Sequence, residues 1–392
     1  MALSINDAAC AHPRFIEEAD KAQSLYEKSR KASLDRRFRV PENLSGALKN
    51  HGVAGIFIDP ERVVLAMPED RPRQSPRAGT ALYRTRLAGG TFAAVAKSLA
   101  EGVGVSSTAR ILDVDKKTVL LVLSRASEHI AKVNEARLRD LVVSECQLDE
   151  MWSFIGKKEK NLDAIEKIKS NLGDAWIWVA FDAVNKVFLA AHVGKRTMPC
   201  AIKVIEKVRR VTSGMPVLFS SDQLAHYPRA LLHVYGERER LCGKPGNGRT
   251  RGARLVPPDD LLYVQVVKKY KNNRIVKIDR KIVFGNPERV EEALGRSPVS
   301  RKINTAYVER SNGSIRHLNA RCNRKTLRFS KLKENHMLQL RLSLAYYHFC
   351  RPHRTLTRRF GNPTTPFMAG GLTDHVWSME ELLKCKVKIQ SV

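Results

Sequence analysis

Three acidic residues of this sequence stand in contexts that suit metal-dependent chemistry. Asp149 lies in the strand-like segment CQLDEMWSF, Asp222 ends the apolar segment VLFSSD, and Glu309 lies in the helical pattern TAYVERSNGSIRHL. Carboxylates from separate elements can hold two Mg²⁺ ions roughly 3.5–4 Å apart, which is the arrangement that cleavage of a phosphodiester bond requires. The three residues are therefore candidate metal ligands.

Strand parity separates Asp149 from its neighbour Glu150. Successive side chains of a strand point to opposite faces. Glu150 shares its parity with Leu148 and Trp152, whereas Asp149 shares its parity with Ser153 and occupies the less apolar face. We rank Glu150 below Asp149 for this reason. A solvated aspartate beside a tryptophan remains an equal alternative for Asp149.

Position in the strand separates Asp222 from Asp182. Asp222 ends an apolar strand, and ligand sites in open α/β sheets gather at the carboxyl ends of strands. The alternative is that Asp222 caps the helix predicted over LAHYPRALLHVYG. Asp182 ends AWIWVAFD, and we predict that it opens a hairpin turn near Val184–Asn185.

Helical spacing gives Glu309 a partner on its own face. Arg316 follows Glu309 by seven residues, which is nearly two turns of an α-helix. One helix can therefore present both a metal ligand and a cation for a neighbouring phosphate. A solvated helix with salt bridges on its surface is the other interpretation.

The surrounding pattern predicts the elements that position these residues. Three strands up to Gly194, a helix from about Met198 to Val211 and a fourth strand ending at Asp222 indicate an α/β core. A further β-hairpin is predicted to turn at Asn272–Asn273, and the pattern is helical from about Thr305 to Phe349.

A helix-turn-helix is predicted upstream in GVSSTARILDVDKKTVLLVLSRASEHI, where Asp113 occupies the position of the usual turn glycine. A trihelical core that does not touch DNA is the alternative. Apolar residues at the positions expected for packing between the two helices are Ala109, Leu112, Val114, Val119 and Val122. Candidate DNA contacts on the second helix are Lys116, Lys117, Thr118 and Arg125.

The composition favours a polyanionic partner. Lys and Arg number 69 against 40 Asp and Glu, which gives a net charge of +29. Further candidate phosphate contacts in the basic stretch RHLNARCNRKTLRFSKLK are Arg316, Arg321, Arg324 and Lys325. The sequence has no apolar run long enough to span a bilayer and no recognisable signal peptide, so we expect a cytosolic protein associated with the nucleoid.

The cysteines and histidines give no recognisable zinc site. The seven cysteines include no C-x-x-C pair, which argues against a zinc ribbon and a disulfide framework. His348, Cys350 and His353 lack a fourth ligand at recognisable spacing, so we do not expect zinc there.

Five segments together resemble one family. LDEMWSFIGKK, SDQLAHYPRAL, INTAYVERSNGSIRHLNARCNRKTLRFSK, YHFCRPHRTL and TPFMAGGLTDHVW occur in this order and resemble the motifs of insertion-sequence-one family transposases, over roughly Thr85 to the C-terminus. The resemblance implies an α/β, RNase H-like mixed sheet flanked by helices and preceded by a small all-α helix-turn-helix domain. It also implies a catalytic and metal-binding triad of Asp149, Asp222 and Glu309.

The same resemblance implies an organisation and an activity. We expect a helix-turn-helix domain over 81–135, a catalytic domain over 140–350 with a β-rich insertion at about 240–300, and a C-terminal tail over 351–392. Residues 1–80 have no assigned role and depart from the family, whose members often carry a zinc ribbon there, because they offer only Cys10, His12 and His51.

The implied activity is DNA transposition. Mg²⁺, which Mn²⁺ can replace, would activate water to nick the end of the element, and the released 3′-hydroxyl would then attack target DNA. The expected partners are double-stranded DNA, from terminal repeats and target, and further copies of the chain in a homo-oligomer. The alternatives are a DNA-binding regulator without catalysis and a nuclease or resolvase of the same fold.

Overall fold

The computed structural model describes residues 13–31, 55–59, 62–66, 77–169, 171–240, 253–272 and 274–386. Cys10, His12, His51, the segment LCGKPGNGRTRG and Asn273 lie outside these residues. The chain divides into two units, of which one comprises residues 1–93 and 384–392 and the other residues 94–383.

The first unit contains a helix and a two-stranded antiparallel sheet. Helix α1 spans Pro13–Lys31, and strands β1 and β2 span Gly55–Asp59 and Arg62–Ala66. Tyr26 of α1 is almost fully buried, which is the burial expected of an amphipathic helix.

The remaining elements follow in chain order. The helices are α2 (Gly89–Ala100), α3 (Val105–Ile111), α4 (Lys116–Arg137), α5 (Ala164–Lys169), α6 (Met198–Val211), α7 (His226–Tyr235), α8 (Pro287–Arg296), α9 (Ala306–Leu318), α10 (Lys333–Ala345), α11 (Arg354–Phe360), α12 (Pro366–Ala369) and α13 (Met379–Lys384). The strands are β3 (Glu145–Ile155), β4 (Gly173–Asp182), β5 (Phe188–Gly194), β6 (Leu218–Ser221), β7 (Glu237–Arg240), β8 (Ala253–Val256), β9 (Tyr263–Lys271) and β10 (Arg274–Phe284).

Six of these strands form one mixed sheet, in the order β10-β9-β6-β3-β4-β5. Strands β3, β4 and β5 form an antiparallel meander, and β6 and β9 run parallel to β3 on its other side. Helices α6 and α7 pack together, α6 against β4 and β5, while α9 packs against β3 and β4. This arrangement confirms the predicted α/β, RNase H-like mixed sheet flanked by helices.

The core lies at the centre of this sheet. The last six residues of β4, from Ile177 to Asp182, are all buried, as expected of a strand that is covered on both faces. Val204, Ile205 and Val208 form the buried stripe of the amphipathic α6. Each such side chain contributes about 1.5–3 kcal/mol through removal of its surface from water.

The predicted helix from about Thr305 to Phe349 is interrupted. Helix α9 ends at Leu318, and α10 begins only at Lys333. Asn319 has extended backbone angles, and its Oδ1 accepts a hydrogen bond of 3.0 Å from Arg321 N, which starts a separate 3₁₀ turn. Lys325 then adopts a left-handed φ of 51°, which no α-helix accommodates. Helical periodicity did not reveal these local hydrogen bonds.

The predicted helix-turn-helix segment folds as two helices with a tight connection. Asp113 adopts a φ of 50°, the left-handed conformation for which a turn glycine is usually chosen. Asp115 then caps α4, with its Oδ1 accepting a hydrogen bond of 2.6 Å from Lys117 N. Of the five residues predicted to pack between the helices, Ala109, Val119 and Val122 are buried, whereas Leu112 and Val114 are half-buried.

The turn at Asp113 allows a direct test of this conformation. Asp113→Gly is expected to stabilise the chain by up to about 1 kcal/mol, because glycine adopts a positive φ without contact from a Cβ atom. Urea unfolding followed by circular dichroism measures the change. Asp140→Gly, at a second left-handed aspartate with φ 54°, is the matched comparison. A clear loss of stability in the Asp113 variant would contradict the assigned turn.

The long helix α4 packs on α10. Ser127 Oγ donates a hydrogen bond of 2.7 Å to Leu338 O, and Ile130 and Val133 are fully buried. Residues 351–384 also pack on this body, because Trp377 N donates to Phe349 O and Phe367 is buried beside Phe349. Within the described residues, no helix combines the length and the apolar character that crossing a membrane requires.

Candidate active site

The site forms where one strand ends beside another that continues. Strands β3 and β6 are paired in parallel up to Leu148 and Ser221. β6 ends there. The residues that follow Leu148 and Ser221 in sequence are Asp149 and Asp222. Both carboxylates therefore face the space that β6 leaves free, as expected at the carboxyl end of a parallel strand.

Three carboxylates converge in this space. Asp149, Glu150 and Asp222 each place one oxygen within 4.8 Å of the others. Glu150, which parity ranked lower, therefore lies in the group, whereas Glu309 does not belong to it. Strand parity assigns neighbouring side chains to opposite faces of the sheet. It does not determine the distance between their carboxylates where the pairing of β3 with β6 ends.

Glu150 is held by two residues that sequence reasoning missed. Arg196, after β5, forms an ion pair with Glu150 Oε1, and its Nε donates to the same oxygen at 3.0 Å. Tyr227 of α7 donates its hydroxyl hydrogen to Glu150 Oε2 at 2.9 Å. Both carboxylate oxygens of Glu150 thus have a partner. Nothing in the spacing of Arg196 or Tyr227 pointed to the site.

Burial and neighbouring negative charges raise the pKa of Asp149 and of Glu150. Desolvation, together with repulsion from Glu150, Asp222 and Glu309, raises the pKa of Asp149 to about 7. Burial and the charge of Asp222 also raise the pKa of Glu150, against the opposing effects of Tyr227 and Arg196. Concentrated negative charge that is only partly neutralised is the environment in which a bound cation is stabilised.

One face of α9 lies along Asp149. Asn312 Nδ2 donates a hydrogen bond of 2.6 Å to Asp149 Oδ2, and Asn312 Oδ1 is buried without a partner among the described residues. Glu309 lies one turn before Asn312, and Arg316 lies one turn after it. The charge of Glu309 raises the pKa of Asp149, and the charge of Asp149 acts to raise the pKa of Arg316. The predicted shared face of Glu309 and Arg316 therefore faces the site. Asn312 was missed, although its spacing from Glu309 and Arg316 places it on that face.

Glu309 is engaged by a neighbouring strand. Its Oε1 forms an ion pair with Lys268 of β9 and accepts a hydrogen bond of 2.5 Å from Thr305 Oγ1. The Glu309 side chain is 44% exposed. Glu309 is thus close enough to raise the pKa of Asp149, although its carboxylate is paired with Lys268.

Polar contacts fix the start of α9 above the sheet. Gln147, on the same face of β3 as Asp149, accepts a hydrogen bond from Val308 N at 2.9 Å and donates one to Asn304 O at 3.1 Å. Ser220 of β6 donates to Asn304 O at 3.3 Å. A buried glutamine needs such partners, and here they hold α9 in register with both strands that carry the aspartates.

The competing explanations for the aspartates are distinguished by their hydrogen bonds. Asp182 accepts hydrogen bonds from Val184 N at 2.8 Å and Asn185 N at 3.2 Å, so it opens the hairpin turn as predicted. Asp222 accepts one from Leu224 N at 3.0 Å, but the N-cap of α7 is Ala225. The capping alternative for Asp222 is therefore wrong.

The candidate DNA contacts fall in two places. At the start of α4, Lys116 and Lys117 are exposed and Thr118 is half-buried, and Arg125 lies two turns further along. Arg316 lies half-buried in the last turn of α9. In the loop that follows, Arg321 Nη1 donates to Ser330 Oγ at 3.3 Å, and Arg324 and Lys325 are exposed. The guanidinium of Arg321 is thus hydrogen-bonded within the loop itself.

The donor set fits a hard divalent cation. Carboxylate oxygens are the ligands that Mg²⁺ and Mn²⁺ prefer, and the site offers those of Asp149, Glu150 and Asp222. Neither histidine nor cysteine belongs to the group.

Comparisons with known proteins add little to this geometry. No protein-family profile matches the chain. No curated protein matches it in sequence. Among solved structures, a similar one is the Mos1 transposase paired-end complex with left transposon end, at 13% identity over 55% of this chain and 73% of that chain, with a TM-score of 0.16. At this TM-score the similarity does not indicate a function, so the functional proposal rests on the geometry of the site.

Proposed function

We propose that the chain is a DNA transposase of the DDE type that cleaves element ends and transfers the cut strand to target DNA. The observation that carries the proposal is the convergence of Asp149 and Asp222 at the end of β6, on a sheet of RNase H-like topology. The order of the motifs and the net charge of +29 support it. The insertion-sequence-one family is the finer assignment that these motifs favour.

Asp149, Asp222 and Glu309 are the proposed catalytic carboxylates, with Mg²⁺ as the ion they hold and Mn²⁺ as its substitute. A divalent ion bound there would polarise the scissile phosphate and lower the pKa of the attacking water or 3′-hydroxyl. We assign the third ligand to Glu309 because both oxygens of Glu150 already have partners. On binding the ion, Glu309 would give up its ion pair with Lys268.

The other residues of the site orient the ligands and the DNA. Asn312 holds the carboxylate of Asp149 through its amide hydrogen. Arg316, on the same face of α9, supplies a cation for the phosphate next to the scissile one. Lys116 and Lys117, at the exposed start of α4, are the proposed contacts to the terminal repeat.

A strand-transfer assay tests the proposal. The full chain is incubated with Mg²⁺ and with DNA that carries the sequences flanking its gene. We expect nicked ends and products longer than either input DNA. Nicking without joined products would point to a nuclease or resolvase, and neither nicking nor joining with any divalent ion would overturn the proposed chemistry.

Metal affinity identifies the third carboxylate. Glu309→Gln is expected to weaken Mn²⁺ binding about tenfold or more, because a ligand charge is lost, whereas Glu150→Gln should change it less than threefold. Isothermal titration of the metal-free protein with MnCl₂ measures both. The reverse ranking would assign the third ligand to Glu150.

A second candidate function is a sequence-specific DNA-binding regulator without catalysis. The observation that favours it is the ion pair between Glu309 and Lys268, which withdraws the predicted third ligand from the carboxylate group. Lys268→Met removes that ion pair. Under the regulator hypothesis the variant stays inactive in strand transfer, whereas a transposase retains its activity.

A further inference from the structure

A cleft of about 640 Å³ lies beside β5, at the opposite edge of the sheet from β10. Its walls come from the last turns of α4, from β5, from α6 and from α10. Within the described residues, β5 pairs only with β4, so this is a free edge of the sheet. The volume lies in the range of about 300–1,000 Å³ that is typical of small-molecule sites.

Three cations that line the cleft have no carboxylate counter-ion among the described residues. Lys207 and Arg210 of α6 and Arg341 of α10 line it. None of the three forms an ion pair with a carboxylate in the described part of the chain, although Glu135 and Asp140 also line the cleft. Desolvation lowers the pKa of Lys207, and repulsion from Arg341 and Arg210 lowers it further. An anion in the cleft would relieve this repulsion.

Two residues that line the same cleft each carry a buried polar atom without a partner among the described residues. After α10 the chain forms a π-helical turn, Tyr346–Cys350, which carries His348. His348 is 3% exposed, and its Nε2 accepts a hydrogen bond of 3.0 Å from Phe188 N. The ring hydrogen is therefore on Nδ1, which has no partner among the described residues. Asn134 Oδ1 is also buried and has no partner in the described part of the chain.

These atoms indicate the chemistry of a ligand. An unpaired donor, an unpaired acceptor and an apolar wall that includes Leu340 and Leu344 suit a heterocycle with both donor and acceptor groups. The cations suit phosphate, which arginine binds with its planar fork of donors. The cleft is also much larger than a single phosphate group requires.

We propose that this cleft is a nucleotide-binding site, in which Lys207, Arg210 and Arg341 hold the phosphate and His348 and Asn134 contact the base. The nucleotide comes either from solution or from a DNA strand. The site contains none of the proposed metal-binding carboxylates and does not depend on the proposed catalytic activity.

Equilibrium dialysis of the full chain in EDTA tests the proposal, because EDTA prevents nucleotide uptake through a metal at the acidic group. The probes are AMP, pyrophosphate and a single-stranded oligo(dA) of ten nucleotides. We expect saturable binding of one AMP per chain. Lys207→Met and Arg341→Met should each weaken it about tenfold, and Asn134→Leu should weaken AMP but not pyrophosphate.

Lys203→Met is the matched control, one turn before Lys207 on α6 and not part of the cleft wall. It should leave AMP affinity within twofold of the original chain. Lys207→Met should keep or raise the melting temperature, since it removes a repelled charge, so lost binding would not reflect unfolding.

The probes also separate the two sources of the nucleotide. AMP binding that depends on Lys207 assigns the cleft to a free nucleotide, whereas oligo(dA) binding with the same dependence, but no AMP binding, assigns it to a nucleotide within a strand. Binding of neither probe would overturn the proposal. So would equal losses in Lys203→Met, or pyrophosphate binding as tight as AMP with no effect of Asn134→Leu.

Discussion

Replacing Asp149 or Asp222 with Asn is expected to lower the rate of strand transfer by about a thousandfold or more. Each replacement removes one charge from the group that holds the proposed divalent ion and leaves the side chain's size unchanged. A thousandfold loss corresponds to about 4 kcal/mol of transition-state stabilisation, which is within the several kcal/mol that a catalytic metal supplies. Gel assays of joined products, with the DNA-binding affinity measured in parallel, give both quantities.

DNA binding provides the internal control for this loss. Lys116 and Lys117 lie on α4, apart from the carboxylates, so both variants should bind the element end within about threefold of the original chain. Asp259→Asn, at an exposed carboxylate outside the group, should alter neither property. Strand transfer that persists in either test variant would remove that aspartate from the catalytic scheme.

Asp149→Asn is also expected to stabilise the metal-free chain at alkaline pH, by about 1–3 kcal/mol. The folded chain raises the pKa of Asp149 from 3.8 to about 7. Between these values the folded state binds more protons than the unfolded state, so the free energy of unfolding falls as pH rises. The full shift corresponds to about 4 kcal/mol. Part of the gain is offset, because Asn312 donates a weaker hydrogen bond to an amide than to a carboxylate.

Urea unfolding in EDTA at pH 4 and pH 8 measures this effect. The gain from Asp149→Asn should be present at pH 8 and should fade near pH 4, where Asp149 of the folded chain is already protonated. Added Mn²⁺ should reverse the ranking by stabilising only the chain with an intact Asp149. An equal gain at both pH values would show that the ionisation of Asp149 is not its cause.

Much of the fold follows from local pattern. The apolar run of β4, the hairpin at Val184–Asn185 and the helix Met198–Val211 were predicted because hydrophobic period and turn residues are properties of neighbouring positions. The left-handed turn at Asp113 was harder to predict, since aspartate adopts that conformation less readily than glycine. The break between α9 and α10 was missed because the hydrogen bond of Asn319 competes with a helix that the pattern alone favours.

The candidate site was predictable only in part. Asp222 was located by its place at a strand end, and Asn312 was within reach of helical spacing from Glu309. Arg196 and Tyr227 come from elements distant in sequence, and only the folded sheet brings them to Glu150. For the same reason no pattern could show that Lys268 holds Glu309.

The outer strand β10 has a consequence for how copies of the chain meet. Among the described strands it lies at an edge of the sheet, it carries Lys277, Arg280 and Lys281, and Ile275 and Val276 are exposed near its start. Two such edges would otherwise extend into one sheet, as unpaired strand edges do in aggregates. The like charges that edge pairing would bring together oppose this extension. We therefore expect the solubility of the chain at low ionic strength to depend in part on the same cations that would attract a polyanion.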